Sequence, residues 1–176
     1  MPASGTHLGI RELAGFAARA MAVELVVFEA FGRWIATTSD ASAKPALAAA
    51  SRRHAERAGL WRERFPVIPG ADLDDALAAA RSMLVPLIDA LAMFDALPSG
   101  AGRLAAADYV TTELTREYQA ALTAIDPLID APTARVLALV LADLDPPQRT
   151  VGPVNDHEQL ALEALQSAGF PTLGVS

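Results

Sequence analysis

The chain has 176 residues, 52% hydrophobic and 20% charged, with a formal net charge of −7 and no cysteine. This is the size and composition of one globular domain, able to bury a core without covalent staples. Missing thiols exclude disulfides and thiolate metal sites, and the acidic balance speaks against nucleic acid as a partner.

Met1 to His7 has neither the basic start nor the apolar run of a signal peptide. The apolar stretch from Ala20 to Ile35 is interrupted by Glu24, Glu29 and Arg33, which argues against a membrane span and for a cytoplasmic protein. Turn-forming residues fall at Ser39-Asp40, Pro66 to Gly70, Pro98 to Gly102, Asp130 to Pro132, Asp145 to Pro147 and Gly152-Pro153. Between them the apolar residues recur with helical period, and no segment shows strand alternation.

A first helix is expected from about Ile10 to Thr38 and a second from Ala43 to Phe65, where Pro66 stops it. A third opens at Asp72, with Asp75 as an acidic first-turn residue, and runs to about Ala96 with a kink at Pro86. The fourth runs from about Ala101 to Ile129, and the fifth starts at an Asp130 cap and ends before Asp145-Pro146-Pro147. Asn155 with Glu158 opens a last helix that Gly169 closes. Long helices and short loops predict an all-α antiparallel bundle in a single domain, residues 1–176. Its core covers about 10–145, and additional C-terminal helices follow, the last at about 155–169.

Chemistry in a bundle shows as a polar group on the wrong face. In helix one Glu24 falls in the middle of the stripe Leu13, Ala17, Ala20, Val27, Phe31 and Ile35, where an acid is costly unless paired, protonated or bound to a cation. In helix two His54 lies on the stripe Leu47, Ala50, Ala58, Trp61 and Phe65, with Ser51 one turn earlier. Helix four offers Glu117 at the edge of its stripe and Glu113 farther out; helix five offers Asp143. A Glu24–His54 ion pair would account for the first two without any site. Arg52, Arg53, Arg57, Arg62 and Arg64, interleaved with Glu56 and Glu63, read as a solvated face. His7 and His157 read as solvated, whereas Tyr118, Trp34 and Trp61 read as core.

The stretch from Glu24 to Trp34, followed by His54 and by Leu60 to Pro66, and later Asp130 to Leu137 through Asp143, resembles the ferritin-like superfamily. Its di-iron members place a Glu on each of two bundle helices and a Glu-x-x-His motif on each of the other two. The resemblance implies Glu24 as the helix-one acid and Glu113 or Glu117 as the acid of the third bundle helix. His54 takes the first motif's histidine position, with Ser51 where its glutamate belongs; Asp143 takes the second motif's acid position, with Pro146 where its histidine belongs. A bundle without a complete di-iron site and without a cofactor is therefore expected, binding a small apolar ligand or forming a homodimer through the apolar helix one. The alternative is an iron- or manganese-dependent oxidase or hydroxylase with a reduced ligand set drawn from Glu24, His54, one of Glu113 and Glu117, and Asp143. A metal-free enzyme with Glu24 and His54 as an acid–base pair is the third reading.

Overall fold

The computed structural model describes residues 9–144 and 152–174. His7 and the Asp145-Pro146-Pro147 stop, including the position expected of the second histidine, lie outside them. Within the described residues the chain forms seven α-helices and one 3-10 turn, with no strand: α1 (Ile10–Thr37), α2 (Lys44–Arg64), α3 (Leu73–Ser82), α4 (Val85–Ala92), the turn Met93–Ala96, α5 (Gly100–Ala124), α6 (Ala131–Asp143) and α7 (Asp156–Ala168). No single described helix is long and apolar enough to cross a membrane.

The helix ends follow from local chemistry. Asp72 and Asp130 accept the backbone N–H groups of Asp75 and Thr133, and Asn155 forms a reciprocal capping box with Glu158. Two expectations are corrected. The single kinked helix over 72–96 is two helices bent by 63°, because Pro86 has no N–H and its ring excludes the carbonyl four residues back, at Ser82, where α3 ends. Helix four stops at Ala124, five residues early, because the residue before Pro127 is disfavoured in helical backbone, and Asp126 instead caps a turn through the Leu128 N–H.

Side-chain pairings fix the helix directions. Phe16 meets Trp61, Glu24 meets His54 and the Phe28 carbonyl meets Ser51, so α1 and α2 are antiparallel. Ala43 lies beside Gly100 and Trp61 beside Tyr118, so α2 and α5 run the same way, with α3 and α4 carrying the chain back between them. The pairs Arg64–Asp130 and Arg57–Asp143 place α6 antiparallel to α2. Helix α1 is covered on nearly all sides from Phe16 to Val27. The apolar surface expected to mediate a homodimer is thus spent inside the protomer, where partners on several sides explain its all-round hydrophobicity.

Candidate functional site

Glu24 of α1 is wholly buried midway along its helix. Its Oε2 lies 2.6 Å from His54 Nδ1, and its Oε1 accepts from Arg57 Nε at 3.0 Å and from the Tyr118 hydroxyl at 2.9 Å. The Tyr118 oxygen in turn accepts from Trp61 Nε1 at 3.1 Å. Arg57 Nη1 donates a short hydrogen bond to Asp143 on α6. One carboxylate therefore gathers polar groups from α2 and α5, and the Arg57 guanidinium extends the cluster to α6.

The charges follow from these contacts. Burial pushes the Glu24 carboxyl up, but Arg57 and His54 outweigh it and hold the group below its ordinary range, as an anion. Burial lowers the His54 imidazole more than Glu24 raises it, so the ring is uncharged at neutral pH. Burial alone would lower Arg57; Glu24 reverses this. Tyr118 is pushed well above its ordinary value by burial and by the adjacent carboxylate, so it is a phenol and a donor. At 2.6 Å the Glu24–His54 contact requires a shared proton, and with Glu24 ionised that proton sits on Nδ1. Arg57 Nη2 lies 2.8 Å from the same nitrogen, and the positive charge of the guanidinium adds to the penalty on imidazolium. The Nε2 lone pair makes no hydrogen bond among the described residues, and the ring packs edge-on against Phe31 with centroids 5.3 Å apart.

The structure brings together Glu24 and His54, and reaches Asp143 only through Arg57. It does not bring Glu113 and Glu117 to them. Both are partly buried but turned to Arg116, and Glu117 also accepts the Leu173 N–H at 3.0 Å. The edge positions of these two acids on the α5 stripe already point them away, and the residue from α5 that does face Glu24 is Tyr118. Ser51 donates to the Phe28 carbonyl. As a donor set the five expected ligands do not fit a di-iron or di-manganese centre: both Glu24 oxygens are committed, and a guanidinium lies between Glu24, His54 and Asp143. No group of three His, Asp or Glu side chains converges as a metal set among the described residues.

Two buried arginines depart from the sequence reading. Arg57, assigned above to a solvated face, is 3% exposed. The signal was present: Leu47, Ala50, His54, Arg57 and Trp61 are spaced four, three and four residues apart after the first three, which keeps Arg57 on the inner stripe. Arg103 was not singled out at all, and it is fully buried, donating to the Trp34, Phe94 and Asp95 carbonyls and to Thr38 Oγ1. It ties the end of α1, at Trp34 and Thr38, to the 3-10 turn, at Phe94 and Asp95.

Two cavities line the described surface elsewhere. One of about 690 Å³ lies among Arg11, Gly15, Phe65, Asp72 and Asp75, the other of about 210 Å³ between the α3–α4 junction and residues 168–172. Neither is lined by Glu24, His54, Arg57 or Tyr118. The fold and the cluster define an all-α protein with a buried, charged hydrogen-bond network shared by four helices. No family model matches the chain, and no curated protein or solved structure matches it significantly.

Proposed function

We propose that the chain is a ferritin-like bundle in which a side-chain cation takes the place of the metal, and that it works as a binding or self-associating module. The arrangement supports this reading: α1, α2, α5 and α6 each send a polar side chain to one level, with α3 and α4 in the position of the single long crossover of ferritin-like proteins. One observation carries it: the Arg57 guanidinium bonds both Glu24 and Asp143, acids from two different helices, where a bridging cation would bond them. A permanently charged planar fork neutralises such acids without loading or redox chemistry. With both Glu24 oxygens engaged and the neutral His54 ring packed against Phe31, the network holds helices together and offers no converging set of three ligands among the described residues.

The test removes the resident cation. In the native chain Mn(II) is expected to leave the melting temperature unchanged. In Arg57→Gln, where Glu24, His54 and Asp143 lose their partner, it is expected to raise it. An equal rise in the native protein would count against the proposal and for the metal-dependent oxidase.

A further inference from the structure

The starts of α1 and α3 and the end of α2 lie together at one end of the molecule, and a cleft of about 690 Å³ runs between them. Arg11, Ala14 and Gly15 follow the i, i+3, i+4 spacing that shares one helix face, and Asp72, Asp75 and Ala76 repeat it at the start of α3. These two faces are the walls of the cleft, and Phe65 and the turn at Gly70 and Ala71 complete its lining. A hollow of this size, with a few polar groups on apolar walls, is the usual form of a small-molecule site.

Two features say what would fit it. The first is charge. The α1 wall carries the Arg11 guanidinium, whereas the α3 wall carries two carboxylates, and Asp72 is fixed in place because its Oδ1 accepts the Asp75 N–H at 3.0 Å. Between the unlike charges the surface is small and apolar, with the half-buried Phe65 ring at hand. The second is Gly15. It sits in the interior of α1, where glycine weakens a helix. A Cβ there would approach only the flexible tip of Arg19, at 3.2 Å, among the described residues, so contact between helices does not demand the glycine. The space it clears belongs to the cleft.

We propose that this cleft binds a small molecule with an ammonium group and a carboxylate at opposite ends of an apolar body, the ω-amino acid type of zwitterion. The ammonium goes to Asp72 and Asp75, the body lies over Gly15 beside Phe65, and the carboxylate goes to Arg11 as a charge-assisted, bidentate pair. A ligand with one charge leaves the opposite wall's charge covered and unpaired, which is what selects the zwitterion. This ligand class rests on the reading of the chain as a binding module.

The probe is ε-aminocaproate, beside caproate and hexylamine, which each lack one of its charges, titrated calorimetrically into the full chain. The native protein is expected to bind ε-aminocaproate at least tenfold more tightly than either relative. Arg11→Gln should erase its advantage over hexylamine, and Asp75→Asn should narrow its advantage over caproate. Arg11→Glu should turn the preference toward hexamethylenediamine, a change that a merely structural role for Arg11 would not produce. Gly15→Leu, which fills the floor, should abolish binding; should that variant fail to fold, the charge variants decide. No binding of ε-aminocaproate, equal affinity for the three probes, or a preference that neither Arg11 variant moves would overturn the proposal. The cleft is not lined by Glu24, His54 or Arg57, so its failure leaves the Mn(II) melting test untouched and the two failures are told apart.

Discussion

Arg57 shows how a single side chain decides what a cluster of acids can do. Glu24 alone at the centre of a bundle would be protonated or would need a cation; Arg57 keeps it ionised and at the same time fills the space beside it. Removing one partner of a buried pair leaves an uncompensated charge, so Arg57→Ala should cost about 3–5 kcal/mol, whereas exposed Arg52, paired only with Glu56, should cost under about 0.5 kcal/mol as Arg52→Ala. Urea unfolding of the two variants checks the contrast. The network also sets a pH dependence. His54 titrates below the ordinary imidazole value of about 6.5, so the unfolded chain takes up that proton first and stability falls as pH drops below about 6.5. Glu24, also held low, adds a further loss as pH falls through its folded value. In His54→Asn, whose amide N–H replaces Nδ1–H, the first of these losses should vanish and the second remain. Unfolding free energies that stay level between pH 7.5 and 5.5 in the native chain would contradict this. The Glu24–His54 pair was legible because both residues break an apolar stripe. Arg57 was masked by its neighbours: Arg52, Arg53 and Glu56 gave its segment the look of a solvated face, although its own spacing placed it inward.

At the scale of elements, caps and prolines were legible because their rules are local: Asp72, Asp130 and Asn155 start helices where expected, and Pro66 lies just past the end of α2. The break before Pro86 was read as a kink because sequence does not show whether neighbouring packing will hold a helix together across a missing hydrogen bond. Close approach between elements was not legible either, since it depends on which helices meet. The start of α5 illustrates this. A Cβ on Gly100 would lie 2.6 Å from the Ala43 Cβ and 2.9 Å from the Asp40 Cβ, so Gly100→Ala must push α5 away from the start of α2. It should destabilise by about 1–3 kcal/mol. Gly59, exposed within α2 and with nothing near its missing Cβ, is the control: Gly59→Ala should stabilise by about 0.5–1 kcal/mol. Thermal melts of the two variants should move in opposite directions.

At the scale of the whole molecule, the buried helix α1 changes what hydrophobicity means. Its apolar surface looked available for a second copy, yet α2, α3, α4 and the C-terminal segment cover it. The all-helical class was legible from periodicity throughout the chain. The identity of the neighbours was not, and with it went the assignment of Glu113 and Glu117, whose partners are Arg116 and a backbone amide 56 residues away. The ferritin-like proposal and the substitution of Arg57 for a metal stand together, because both rest on four helices meeting at Glu24. The most direct measurement is the metal content of the native chain by mass spectrometry under non-denaturing conditions, after anaerobic loading with Fe(II) and with Mn(II). The account predicts the mass of the metal-free chain in both cases. Two tightly held ions, lost together in Glu24→Ala and in His54→Ala, would contradict it.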